Sequence, residues 1–99
     1  MIKHLKENES LESLLTKDLT LVDFYAEWCG PCKMLGPVLE KLENINIIKA
    51  DVDIHQQLAM NYGIMSVPSL LFFKNGQLVK KEIGFRSEED LKNIISNLK

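Results

Sequence analysis

Apolar residues along this chain switch between a period of two and a period near 3.6, and the switches predict its elements. Ile2 to Leu5 reads as a short first strand. Leu11, Leu14 and Leu15 share one face of a first helix, with Asn8 or Ser10 available as its cap. From Leu19 to Ala26 both parities are apolar apart from Thr20 and Asp23, the pattern of a strand covered on both faces. A helix follows from Pro31 to Leu42, with Met34, Leu35, Val38, Leu39 and Leu42 on one stripe. Pro31 suits the first turn. Pro37, in Gly36-Pro37, deletes a backbone hydrogen bond and predicts a kink rather than a stop, because the stripe resumes beyond it. Ile45 to Val52 is a second buried strand. Gln56 to Tyr62 is a short helix closed by Gly63 at C′. Leu70 to Lys74 and Gln77 to Gly84 are strands joined by Asn75-Gly76, a strong hairpin signal. Ser87, with Asp90 three residues on, opens a last helix with Leu91, Ile94, Ile95 and Leu98 inward and Lys92 and Lys99 towards its negative end.

The order β-α-β-α-β-α-β-β-α predicts an α/β fold. Its central mixed sheet has three parallel-type strands and an antiparallel hairpin pair, flanked by four helices. A chain of 99 residues supports one domain over 1–99 with one core. At 45% hydrophobic and 26% charged it is ordinary for a globular domain. A net charge of −2 gives no reason to expect nucleic acid or an anionic membrane as partner. No apolar run approaches the roughly 20 residues of a membrane span, and Met1 to Ser10 lacks the apolar centre of a signal peptide. The expectation is therefore a cytoplasmic protein. It is also a monomer, since no large apolar stripe is left over once the core is assigned.

Composition matters most through cysteine. The two cysteines, Cys29 and Cys32, lie in Trp28-Cys29-Gly30-Pro31-Cys32-Lys33, where a strand hands over to a helix. The first helical turn has unpaired N–H groups and the positive end of the macrodipole. A thiol placed there is stabilised as thiolate, the nucleophilic form. Half a zinc site and a structural disulfide are the other readings. Zinc normally wants four ligands, and only His4 and His55 remain, separate in sequence and read as surface residues. Structural disulfides are rare in a reducing cytosol. Redox chemistry fits better, at the carboxyl end of a central strand where open α/β sheets place their sites. Cys29, nearer the open end of the helix, is the attacking thiol, and Cys32, one turn in and more buried, resolves the mixed disulfide. Asp23, among apolar neighbours, is costly unless paired or protonated. It either hydrogen-bonds to fix the strand or accepts the proton of Cys32.

Val22-Asp23-Phe24-Tyr25-Ala26-Glu27-Trp28-Cys29-Gly30-Pro31-Cys32-Lys33, then Val67-Pro68-Ser69, Phe73-Lys74-Asn75-Gly76 and Gly84, in this order and spacing, resemble the thioredoxin family over essentially the whole chain. The resemblance implies the thioredoxin fold and a buried acid at Asp23. It also implies a lysine beside that acid at Lys49, which otherwise reads as a snorkelling surface residue, and a cis proline facing the dithiol at Pro68, which otherwise reads as a strand-opening proline. Tyr25 stands where many members carry Trp, Ser69 where Thr is frequent, Ser66 where Gly is common, and Phe85 where the residue is often small.

The implied activity is reduction of disulfides in client proteins, with ribonucleotide reductase, peroxiredoxins and methionine sulfoxide reductases as typical clients. No cofactor or metal is bound. The dithiol itself carries the electrons, which come from NADPH through a flavoprotein thioredoxin reductase. The backbone of Ser66 and Val67 would pair with an extended client segment. Trp28, with Met65, Gly84 and Phe85, would form an apolar docking rim, although Trp28 also reads as core. Gly30 and Pro31 shape the turn, and in the family that pair accompanies reducing members. Two other readings are a disulfide oxidase or isomerase, disfavoured by Gly30-Pro31, and a redox-independent protein-binding module.

Overall fold

The computed structural model describes residues 2–99. Strands β1 (Ile2–His4), β2 (Thr20–Tyr25), β3 (Asn46–Asp51), β4 (Ser69–Lys74) and β5 (Gln77–Ile83) form one five-stranded sheet in the order β1-β3-β2-β4-β5. β3 runs parallel to both β1 and β2, whereas β4 is antiparallel to β2 and β5. The helices are α1 (Gly30–Glu40), α2 (Gln56–Asn61) and α3 (Glu88–Leu98).

The sheet has a core on each face. Leu35 and Leu39 of α1 and Leu91 and Ile95 of α3 pack with Leu21, Ile47, Leu70 and Phe72 on one face. Ala59 of α2, with Leu5 and Leu11, packs against Val22, Phe24, Ile48, Leu71 and Phe73 on the other. This two-sided burial is why β2 and β4 are apolar at both parities. β5, at the edge, is mostly exposed and carries Lys80 and Lys81 beside a register shift opposite Phe72 and Phe73. Charge and irregularity of this kind deter edge-to-edge pairing. At the hairpin, Asn75 and Gly76 have φ of 56° and 75°, the left-handed pair that a two-residue turn between twisted strands requires.

The expectation of four helices is corrected to three α-helices and a single 3-10 turn at Glu12–Leu14. The cause is local competition. The Ser13 hydroxyl donates to the Ser10 carbonyl at 2.7 Å, the acceptor that a continuing helix would use. Neither Asn8 nor Ser10 caps the turn: its N-cap is Leu11, with no side-chain cap bond, and the Ser10 hydroxyl goes to Glu12. The helix after the dithiol does continue past Pro37 and stops at Glu40, with Leu42 buried beyond its end. Met34, expected on its inner stripe, is exposed. Ser87 caps α3 by accepting from the Asp90 N–H at 3.1 Å, and Gly63 takes the left-handed conformation after α2 with φ 67°. Lys92 does not serve the helix end; it pairs with Glu88 at 2.9 Å, one turn earlier.

Phe72 of β4 is fully buried in the core that α1 and α3 share with one face of the sheet. Phe72→Ala is expected to cost about 3–5 kcal/mol, whereas Leu78→Ala on the exposed edge should stay within about 0.5 kcal/mol. Urea unfolding of both variants checks the contrast.

Candidate active site

β2 delivers Asp23 to the middle of the sheet, and a short turn after it delivers Cys29 to the head of α1. The Cys29 N–H donates to the Ala26 carbonyl at 3.2 Å, which closes that turn. Cys29 is the N-cap residue of α1, and its sulfur accepts the Cys32 N–H at 3.1 Å. Sulfur here does what a serine or aspartate oxygen does at other helix starts. Pro31 sits in the first turn, where it has no N–H to leave unsatisfied. Cys29 and Cys32 are joined as a disulfide, the oxidised state of the pair. Both are almost fully buried, 5% and 4% exposed, so burial does not rank them as attacker and resolver. Cys29 lies at the open end of the helix and Cys32 inside its first turn.

The loop before β4 faces this pair. The Val67 carbonyl oxygen lies 3.6 Å from the Cys29 sulfur, and the Val67–Pro68 peptide is cis. The Ser69 hydroxyl donates to the Ser66 carbonyl at 2.7 Å, and the Gly84 N–H donates to the Pro68 carbonyl at 2.8 Å. Gly84 does this at a φ of 94°, which side chains rarely adopt. Trp28, next to Cys29 in the chain, and Met65 and Phe85 are exposed at 70%, 96% and 38%. Trp28 is thus at the surface and not in the core. Its indole N–H donates to Asp53 at 2.9 Å, and the Asp53 N–H donates in turn to Asp51 at 2.8 Å. Asp53 was not singled out from sequence; its one signal is a position two residues past the end of β3. Ile54 and Met60 add further exposed apolar surface that periodicity did not mark out.

Asp23 is fully buried, and neither carboxylate oxygen has a hydrogen-bond partner. It therefore makes no bond that would fix the strand. Burial pushes its carboxyl up to about 6, with Lys49 pulling in the opposite direction. Lys49 is half-buried and stands opposite Asp23 in the β2–β3 register. Its ammonium lies 4.7 Å from the centre of the Tyr25 ring. A cavity of about 140 Å³ lined by His4, Tyr25, Ala26, Glu27, Cys32, Lys33 and Lys49 opens beside these groups.

His4 is exposed, as expected, but the reading of His55 as a surface residue is corrected. It is 8% exposed, with Nε2 at 3.1 Å from the Leu5 carbonyl oxygen, tying the start of α2 to the end of β1. Among the described residues no group of three or more His, Cys, Asp or Glu is placed to hold a metal ion. Among the same residues no helix is long and apolar enough to cross a membrane.

A family model described as Thioredoxin matches residues 2–97. A thioredoxin of Bacillus subtilis (strain 168) is 40% identical over 94 residues, covering 90% of each chain. A thioredoxin of Staphylococcus aureus (strain Mu50) is 44% identical over 89 residues, 85% of this chain and 86% of its own. Among solved structures, an Asn-to-Gln mutant thioredoxin from Halobacterium salinarum NRC-1 superposes with a TM-score of 0.90 at 38% identity, covering 97% of this chain and 88% of that one.

The unpartnered carboxylate has a stability consequence. The Asp23 carboxyl is raised in the folded protein from 3.8 to about 6, so between these values the native state holds a proton that the unfolded chain has lost. The contribution of Asp23 to stability is full below pH 4 and is lost as pH rises through 6. Asp23→Asn should therefore stabilise the oxidised protein by up to about 3 kcal/mol at pH 8 and by little at pH 4. Urea midpoints at the two pH values measure the difference.

Proposed function

Given that the chain belongs to the thioredoxin family, whose members are thiol–disulfide oxidoreductases, we propose that it works as a reductant of disulfides in client proteins. Cys29 and Cys32 are its redox group. The observation that carries the reading is the Cys29 sulfur at the head of α1, accepting the Cys32 N–H at 3.1 Å. The same N–H and the helix dipole would stabilise a thiolate there in the reduced protein.

In the reduced protein, the Cys29 thiolate attacks one sulfur of a client disulfide. A Cys29–client disulfide forms and the client's other sulfur leaves as thiolate. Cys32 then gives its proton to the Asp23 carboxylate and attacks the Cys29 sulfur. The Cys29–Cys32 bond forms, the client's second sulfur leaves, and the client takes up two electrons and two protons. Asp23 suits this role because a carboxyl raised towards neutrality holds a proton reversibly. Lys49 keeps it from rising further.

A lowered thiol pKa supplies a modest part of the rate. Thioredoxins are themselves the standing example of a thiol near 7, against about 8.5 for free cysteine. At pH 7 that change raises the thiolate fraction by roughly 15-fold. Lower basicity removes roughly fivefold of nucleophilicity, which leaves a net gain of about threefold. Positioning supplies the rest, by holding the second thiol within reach of the first mixed disulfide.

A client segment would lie extended beside Ser66 and Val67, with Trp28, Met65, Gly84 and Phe85 as apolar rim and Gly30-Pro31 leaving the approach open. Pro68 would set the direction of that backbone. Re-reduction by a flavoprotein thioredoxin reductase drawing on NADPH, clients of the ribonucleotide reductase, peroxiredoxin and methionine sulfoxide reductase kind, a cytoplasmic setting and a monomeric single domain over residues 1–99 complete the proposal.

The test is reduction of insulin disulfides, driven first by dithiothreitol and then by NADPH with a purified reductase. Turnover in the first arm is expected. Its absence would overturn the reading, whereas failure of the second arm alone would reject the reductase tried. Cys32→Ser is expected to accumulate covalent client complexes through Cys29 on non-reducing gels, which Cys29→Ser should not. Asp23→Ala is expected to slow resolution by up to roughly 100-fold at pH 7 and leave first attack nearly unchanged. Stopped-flow resolution of a preformed mixed disulfide separates the two steps.

A further inference from the structure

The cavity behind Cys32 is separate from the proposed docking face. None of Trp28, Met65, Ser66, Val67, Gly84 or Phe85 lines it. A docked client would cover the front of the disulfide and leave this rear cleft open. Three of its lining residues, His4, Lys49 and Tyr25, belong to a row across one sheet face that also holds the buried Asp23. His4 of β1 stands opposite Lys49 of β3, and Lys49 stands opposite Asp23 of β2. Tyr25 lies two residues beyond Asp23 on the same strand, so it shares that face.

The ammonium of Lys49 has no carboxylate partner: the ion pairs among the described residues use Lys3, Lys80, Arg86 and Lys92. What it does have is the face of Tyr25, with 4.7 Å from Nζ to the ring centre. The other side of the arrangement is closed by His4, whose ring meets that of Tyr25 edge-on at 6.4 Å and 84°. A lysine on a flexible four-carbon stem, strongly hydrated, turns to water unless something holds it. A ring face favours the held position by roughly two- to fivefold where the site is exposed, and more where it is partly dry.

We propose that Tyr25 is a positioning residue for the proton step: its ring holds the Lys49 ammonium beside Asp23, at the mouth of a rear cleft through which the acid exchanges its proton with water while a client occupies the front. The proposal rests on Asp23 as acceptor of the Cys32 proton. In the resolving step that proton moves from the Cys32 sulfur to the Asp23 carboxylate. It leaves through the cleft after the Cys29–Cys32 bond has formed and the client thiolate has departed. The charged and titratable groups lining the cleft are Lys49 on β3, His4 on β1, Tyr25 at the end of β2, Glu27 after it, and Lys33 and Cys32 on α1, with the buried Asp51 of β3 next to Tyr25 in register. From β4 the register partner of Asp23 is the apolar Leu70. Lys49 is the cation that acts on Asp23, and Asp51, Glu27 and Asp23 all act on the Tyr25 phenol.

The test is the titration midpoint of the Asp23 carboxyl in the oxidised protein, read by carbon NMR. Tyr25→Leu should raise the midpoint by roughly half a unit to one unit, part of the effect of a cation within about 4–6 Å. Tyr25→Phe and Tyr25→Trp, which keep a ring face, should leave it in place. In a Lys49→Met background, Tyr25→Leu should produce no further rise, because the effect runs through the ammonium. Tyr25→Met, bulky but without a ring, serves if the leucine variant does not fold. The pH profile of mixed-disulfide resolution should move upward with the midpoint, with first attack unchanged. A midpoint unmoved by Tyr25→Leu overturns the proposal while leaving Asp23 as acceptor. A rise that persists without Lys49 overturns it too, since the ring would then act through packing. If the midpoint moves but resolution ignores both Tyr25→Leu and Asp23→Ala, the acceptor reading fails and the role of Tyr25 falls with it.

Discussion

The hydrogen bond from the Cys32 N–H to the Cys29 sulfur is the contact on which the rest of this structure depends. A helix start leaves N–H groups without partners, and proteins ordinarily give them an oxygen. Here the acceptor is the atom that reacts. Because β2 is central and ends just before the turn, that atom is held at the sheet's carboxyl edge without a flexible support. Pro31 removes one of the competing donors, and the Ala26 carbonyl fastens the turn from below. The fold spends a capping position on chemistry, and the two-sided core around β2 keeps that position still.

Asp23 shows the opposite economy. A carboxylate with no hydrogen bond, fully buried on β2 in the middle of the sheet, works against stability at neutral pH. Structural carboxylates are normally bonded, and this one is not; the proposed proton role would give that cost a use. Lys49 offsets part of the cost at a distance. Together they describe a local compromise, in which a neighbouring cation moderates a charge that packing alone would suppress.

Much of this was legible in the chain. The apolar runs of β2 and β4 marked the central strands, Asn75-Gly76 marked the hairpin, Ser87 marked the last helix, and the cysteine spacing marked the site. The failures have physical causes. The segment around Leu11 to Leu15 has helical spacing but loses its ladder to the Ser13 hydroxyl, and periodicity does not see side chains that compete for backbone groups. Met34 fits the stripe of α1 by spacing yet falls outside the packed face. His55 looks like a surface residue until the Leu5 carbonyl, fifty residues away in sequence, is brought to it. Asp53 under Trp28, and the ring of Tyr25 under Lys49, are likewise meetings between distant strands or loops. They leave no local trace.

The bond from the Gly84 N–H to the Pro68 carbonyl joins the end of β5 to the loop that faces Cys29. A side chain at position 84 would oppose the backbone angle that makes this bond. The surface proposed to meet clients would thereby be braced before anything arrives, so that association would spend little ordering energy and demand little reshaping. A stiff, shallow, mostly apolar face of that kind grips many shapes weakly. That suits a carrier that must let each acquaintance go as soon as the exchange is done.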